Sequence, residues 1–397
     1  MKIRFDLKRF VEALFLALDF AELDYFKINL NHSRRVAYIS LMIGKKIELE
    51  ESFLKDLYIL AGLHDNGVTL QSLHLNNRDF EFMPAHCLQG ERNLKNMPFI
   101  NNCENIIKYH HENYNGSGTF RLKGGEIPLL SQIISFSDTL DRTFNLTNIP
   151  YNQRTEIKNF VKQNKNILFN PMISDAFLDL AKNERIWADL NFNNISYILD
   201  RIAPEITYEY EWAVIIKLSE IFMKIIDSKS KFTFRHSLGI SEKTKKMCEF
   251  YDFSEINKIK MIIAANLHDL GKLYIPNAIL DKPGLLNLFE FQEMKQHTYY
   301  TKLALEKIPE FQDIAKWAAN HHEKLNGLGY PEGLTADELD FQSRIIAVVD
   351  IYQALTEERP YRKSLEHKKV IEIMQEMANK NFIDKKILSD LDEVILS

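Results

Sequence analysis

Ten of the twelve histidines fall into two ordered sets that repeat along the chain. His32 and His64-Asp65 recur as His236 and His268-Asp269, each 204 positions later. His86 and His110-His111 recur as His297 and His321-His322, each 211 later, and Asp138 recurs as Asp350, 212 later. The order is kept with only two small length changes, the signature of a tandem duplication. Phe169-Asn170-Pro171 and Phe382-Ile383-Asp384, 213 apart, extend the correspondence towards the ends of the copies. The copies are therefore expected over residues 4–190 and 208–397, joined by a connection at 191–207. His74 and His367 stand outside the two sets.

The rest of the chain reads as helix. Glycine (14) and proline (11) are sparse, and segments such as Leu7 to Phe26 and Tyr210 to Ile226 carry apolar residues at helical spacing without strand-type alternation. Asn115-Gly116-Ser117-Gly118 and Asn326-Gly327-Leu328-Gly329 are turn chemistry between helical patterns, again in matching places. The fold class expected is all-α, in two tandem helical domains. A net charge of -5 argues against a nucleic-acid polymer or an anionic membrane as partner, so an anionic substrate must be held by a local site. Cys87, Cys103 and Cys248 lack CxxC spacing, which speaks against a disulfide framework or a thiolate metal site and for a reducing, cytoplasmic setting. No apolar stretch approaches the ~18 residues of a membrane span.

His236, His268, Asp269, His297, His321, His322 and Asp350 form an oxygen and nitrogen donor set suited to Fe or Mn, with Zn or Ni as alternatives. Seven side chains are too many for one ion. With Asp269 as a bridge, His236, His268 and Asp350 complete one site and His297, His321 and His322 another. Two divalent ions ~3.5–4 Å apart are suited to in-line attack on phosphorus. Adjacent helical residues diverge by about 100°, so His268-Asp269 must sit at a helix end, and Gly271 is read as the stop.

The segments His268-Asp269-Leu270-Gly271-Lys272, Lys282-Pro283-Gly284, His321-His322-Glu323 through Gly329-Tyr330-Pro331, and Arg359-Pro360-Tyr361-Arg362 resemble the HD-GYP family of the HD phosphohydrolase superfamily. The resemblance implies tandem HD-type domains and a metal-dependent phosphodiesterase of bacterial signalling, which opens cyclic di-GMP or cyclic GMP-AMP to the linear dinucleotide or to mononucleotide. It implies the same seven metal ligands, catalytic roles for Asp269 and Lys272, and substrate contacts from Tyr330, Arg359 and Arg362. Family members with three metals carry Glu four residues before the first ligand histidine; Phe232 stands there, which implies two ions.

The first copy keeps every ligand type in His32, His64, Asp65, His86, His110, His111 and Asp138, a second and non-catalytic metal site. Its surroundings differ: Val68 replaces Lys272, Thr119-Phe120 replaces Tyr330-Pro331, Gln132 replaces Arg344, and Thr147 to Pro150 offers no basic residue. It resembles the degenerate first copy of tandem family members, with a structural, dimerising or regulatory role and a homodimer or a signalling protein as partner. The competing readings are another HD nucleotide phosphohydrolase, which the Gly-Tyr-Pro loop disfavours, and a non-hydrolysing nucleotide-sensing scaffold, which Lys272 disfavours.

Overall fold

Buried Phe10, Val11, Leu14, Phe15, Leu18 and Ala21 recur three or four residues apart and wind Leu7–Phe26 into one helix, α1. The computed structural model describes residues 1–26, 30–68, 82–101, 104–191, 193, 195–230, 236–358 and 363–396. The chain divides into two units, Leu14–Thr207 and Met1–Ala13 with Tyr208–Ser397, called first and second here. The repeat boundaries assign the amino terminus to the first copy, whereas the fold groups it with the second. The reason is a small sheet: β1 (Lys2–Asp6) pairs with β2 (Thr207–Glu211), and Trp212 N donates to Met1 O at 3.1 Å. Phe5 and Phe10 then pack against Phe311, and Phe10 against Phe222. Besides two isolated bridges, Lys165 with Phe169 and Asn326 with Thr335, this sheet is the departure from all-helical architecture among the described residues, and it takes Tyr210 and Glu211 from the helix expected there.

In the first unit α1 is followed by α2 (His32–Lys46), α3 (Glu51–Gly62), α4 (Phe82–Leu94) and α5 (Leu129–Phe144). Then come α6 (Tyr151–Asn164), α7 (Pro171–Leu180), α8 (Glu184–Asn191) and α9 (Ile195–Ile202). The second unit runs through α10 (Trp212–Ser228), α11 (His236–Phe250), α12 (Glu255–Leu267), α13 (Asn277–Leu280) and α14 (Leu288–Leu305). It ends with α15 (Gln312–Ala319), α16 (Phe341–Thr356), α17 (His367–Asn379) and α18 (Lys385–Leu396). Local signals set several starts. Asn287 and Glu290 form a reciprocal cap on α14, and Asp340 accepts from Ser343 N at 2.9 Å on α16.

The same packing occurs twice: α2 lies on α3 and α5, and α11 lies on α12 and α16. The paired helices also match in length, 15 residues for α2 and α11 and 16 for α5 and α16. In each unit one histidine opens a helix, the His-Asp pair follows the end of the next, and an aspartate rises from the middle of a third. No helix among the described residues is long and apolar enough to cross a membrane.

Gly271 has a different role from the one its sequence suggests. Helix α12 already ends at Leu267, and Gly271 lies in the 3-10 turn Leu270–Tyr274 that follows. There its backbone is pressed against α14, where a Cβ would meet His297 O at 1.8 Å; Gly67 meets His86 O in the same way at 2.1 Å. Because backbone on both sides cannot give, Gly271→Ala should destabilise by about 3 kcal/mol or more. The check is thermal unfolding with metal analysis, with a lowered midpoint and reduced metal content expected.

Candidate metal centre

A ligand histidine needs one nitrogen held and the other left to face the ion, and for five of them a backbone carbonyl does the holding. His268 Nδ1–H donates to Ala265 O at 2.8 Å, His297 Nδ1–H to Met294 O at 2.6 Å, and His321 Nδ1–H to Ala318 O at 2.6 Å. His64 and His110 make the same bond three residues back, to Ala61 O (2.8 Å) and Ile107 O (2.5 Å). This fixes the tautomer and turns each Nε2 lone pair inward.

In the second unit those lone pairs converge. His236, His268 and Asp350 bring ligand atoms within 4.8 Å of one another, as do His297, His321 and His322. His268, Asp269 and His321 form a third such group linking the two. Asp269 Oδ2 is 3.2 Å from His268 Nε2, and Oδ1 is 3.6 Å from His297 Nε2 and 3.9 Å from His321 Nε2. Asp350 reaches His236 Nε2 at 3.1 Å and His322 Nδ1 at 3.8 Å. All seven candidate ligands thus gather at one place, grouped as the bridging arrangement requires.

A cation fits this donor set. His297 Nε2 and His321 Nε2 face each other at 3.2 Å with both Nδ1 protons already committed, so two lone pairs oppose each other. His268 Nε2 is buried without a hydrogen-bond partner. In the first unit the Nε2 atoms of His64 and His110, both oxygens of Asp65 and Oδ1 of Asp138 are in the same condition. They approach one another at 3.3–3.7 Å without hydrogen-bond geometry. At roughly 1–3 kcal/mol per unsatisfied buried group, five such atoms would consume most of the roughly 5–15 kcal/mol that a domain has. Bound metal removes that penalty.

The protonation states agree. Burial, with His322 adding to it, pushes His297 down to about 3, and burial with His322 holds His321 well below its ordinary value. Burial favours a neutral Asp269, but the charges of His268 and Lys272 override it and hold the carboxyl well below its usual range. His236 goes the other way: hydrogen bonds to Asp350 and Glu357 outweigh burial and raise it to about 9. Without an ion, a proton on His236 carries part of the positive charge that these carboxylates demand.

Other residues bear on the reading of the site. Lys272 Nζ lies 2.5 Å from Asp269 Oδ2, and Val68, its counterpart, is fully buried in the same backbone turn. The Tyr330 ring sits 4.9 Å from the His322 ring, with Lys295 Nζ 5.5 Å from its centre. Arg359, Arg362 and Phe232 lie outside the described residues. Arg344 donates to Leu339 O (3.0 Å), Ala336 O and Asp384 (3.2 Å), so it braces a loop. Gln132 does the same through Gly124 O and Ile127 O, so the Arg344 to Gln132 change keeps a loop brace.

Two carboxylates carry roles that the motifs did not show. Glu323 accepts from Glu332 N, Gly333 N and Leu334 N at 2.7–3.0 Å and so folds the Tyr330 loop, as Glu112 does through Phe120 N and Leu122 N. Its signal was its place beside His321-His322. Glu357 accepts from His236 Nδ1–H at 2.9 Å. In the first unit Asp141, held by Arg35, does this for His32 at 2.7 Å. The second unit has Gly239 and Gln353 in those two registers, and the carboxylate moves one turn along α16. No spacing rule reveals such a relocation.

A family model described as HD domain matches residues 23–171 and again 220–387. The chain belongs to the HD domain family. Among its HD relatives, 3'3'-cGAMP-specific phosphodiesterase 1 of Vibrio cholerae is 27% identical over 370 residues, 90% of this chain and 86% of that protein. Phosphodiesterase 3 of that name from V. cholerae is 32% identical, covering 76% of this chain and 65% of the relative. A cyclic di-GMP phosphodiesterase of Thermotoga maritima is 35% identical over 42% of this chain and 45% of its own. The crystal structure of a cyclic GMP-AMP specific phosphodiesterase of V. cholerae aligns with a TM-score of 0.68 at 26% identity, covering 97% of both chains. The motif resemblance is borne out at the level of the HD family, and so is the helical fold.

Removing the carboxylate behind a ligand histidine typically costs 10–100-fold in metal affinity. Glu357→Ala should therefore weaken metal binding by the second unit within about that range, measured by competition with a chelator, while the far-ultraviolet spectrum is unchanged.

Proposed function

We propose that the second unit is a metal-dependent phosphodiesterase that opens a 3′–5′ cyclic dinucleotide, cyclic di-GMP or 3'3'-cyclic GMP-AMP, to the linear dinucleotide or mononucleotide. The observation that carries this reading is the pair of ligand triads joined by Asp269, with Lys272 at the edge. The names of the relatives support the substrate class.

His236, His268 and Asp350 would hold one ion, His297, His321 and His322 the other, and Asp269 both, with Fe or Mn preferred over Zn or Ni. When bound, the ions supply Lewis acidity at phosphorus and an activated water. Lys272 neutralises Asp269 at rest and is placed to meet charge that develops on the phosphate or leaving oxygen. The Tyr330 ring, braced from behind by the Glu323-capped loop, offers a face for a base, and Arg359 and Arg362 supply guanidinium forks for phosphates. Phe232 offers no carboxylate, so two ions rather than three are expected in this unit. The first unit would bind metal through His32, His64, Asp65, His86, His110, His111 and Asp138 without catalysis, because Val68 provides no charge. The free thiols Cys87 and Cys248 suit a reducing cytoplasm.

Asp269→Ala should lose metal and lower kcat by at least about 10³-fold, an effect of ~4 kcal/mol on the barrier. Lys272→Ala should keep the metal yet lose about 10²-fold or more in kcat. Turnover of both cyclic dinucleotides by anaerobically purified protein, with elemental analysis of each variant, checks these outcomes. Asp65→Ala in the full chain should lower stability or metal content and spare most turnover; robust loss of activity in a folded Asp65 variant would count against a non-catalytic first unit.

A further inference from the structure

The two centres differ at one position that the repeat makes directly comparable. Cys87 follows His86 on α4, and its register in the second unit is taken by Thr298, which follows His297 on α14. Thr298 turns its hydroxyl to Lys295 O at 3.0 Å and offers nothing to the centre. Cys87 is fully buried, and its Sγ lies 3.7 Å from His86 Nε2 and 3.8 Å from His110 Nδ1. His86 Nε2 is in turn 3.1 Å from His111 Nε2. The ligand atoms of His86, Cys87, His110 and His111 all lie within 4.8 Å of one another.

We propose that the first unit holds a sulfur-containing metal site, formed by Cys87 with His86, His110 and His111 and suited to zinc. A tetrahedral ion with metal–nitrogen distances of ~2.0–2.1 Å and metal–sulfur of ~2.3 Å needs ligand atoms roughly 3.3–3.8 Å apart. The 3.7 Å between Cys87 Sγ and His86 Nε2 falls in that range and the 3.1 Å between His86 Nε2 and His111 Nε2 is slightly shorter, while His110, its Nδ1 proton held by Ile107 O, would enter through Nε2. An independent sign comes from His110, fully buried with Nε2 lacking a hydrogen-bond partner and reaching the Asp65 oxygen (3.3 Å) that also lies 3.4 Å from His86 Nε2.

The consequence is a difference of kind. The thiolate adds one protein donor beyond the set that the second unit offers its corresponding ion, His297, His321 and His322 with the shared Asp269, and so fills a position that water or substrate would take there, as in closed structural zinc sites. A thiolate also favours zinc over the harder ions suited to an all-nitrogen and oxygen set. On binding, the Cys87 thiol gives up its proton to solvent and its sulfur forms the metal bond. The proposal rests on the reading that the first unit binds metal, and adds the sulfur, the closed shell and the preferred ion.

The test uses the full chain stripped of metal and reloaded with cobalt(II), whose thiolate complexes show a sulfur-to-metal charge-transfer band in the near ultraviolet. The expected result is that band in the parent protein and in Cys248→Ser, and its loss in Cys87→Thr, which carries the second unit's residue. Visible ligand-field bands and turnover should persist in Cys87→Thr. Visible bands that weaken in Asp65→Ala, with no charge-transfer band in the parent, would overturn the sulfur ligand while leaving a nitrogen and oxygen site in place. Cobalt binding that is unaltered by Asp65→Ala would overturn both. Should Cys87→Thr fail to fold, X-ray absorption at the zinc edge of the zinc-loaded parent decides: a sulfur neighbour at ~2.3 Å supports the site, and its absence refutes it.

Discussion

The bond from Nδ1–H of His64, His110, His268, His297 and His321 to the carbonyl three residues earlier underlies the rest of the structure. It is short-range, so each helix end or turn orients its own imidazole without help from distant residues. It satisfies Nδ1 and leaves Nε2 an acceptor in a buried place, where a bare lone pair is costly. Assembly of the helices then brings several such acceptors and two carboxylates together, a concentration of donors that only a cation relieves. An ion bound there would couple folding to metal binding.

The backbone around the donors is built to match. Gly271 lets the turn after the His-Asp pair touch the main chain of the helix bearing His297, which sets the distance across the bridging carboxylate. Glu323 replaces solvent for three consecutive amides and holds the Tyr330 loop over the His322 ring. Gly67 and Glu112 repeat both devices in the first unit. The framework is kept in both units, while lysine stands in one and valine in the other three residues after the aspartate of the His-Asp pair.

Electrostatics divides the units further. In the second, Lys272 offsets the bridging carboxylate while remaining at the edge of the site, so positive charge is available where an anionic substrate would arrive. In the first, the counterpart Val68 is buried and carries no charge, and Arg35 is spent inward on Asp141. The arginine and its aspartate are absent from the second unit, where Gly239 lets Gln353 approach and Glu357 orients His236 instead. Duplicated helices have thus kept the function of a supporting carboxylate while changing its position.

Sequence alone determined the duplication, the helical class, the seven ligand types of each set and their division into two triads about Asp269, because metal donors are few, chemically distinctive and repeated in order. It also marked Lys272 against Val68, since a charge exchanged for a methyl is visible in any alignment of the copies. What it did not show depends on contacts between residues far apart in the chain. The pairing of β1 with β2, which moves the amino terminus into the second unit, joins segments about 200 residues apart. Glu357 in place of Asp141, Arg344 as a loop brace, and Gly271 as a close approach follow from helix packing, which no local spacing encodes. Cys87 is the sharpest case: its neighbours in sequence suggest no thiolate site, and only the folded helices bring its sulfur to within 3.7 Å of one imidazole and 3.8 Å of another.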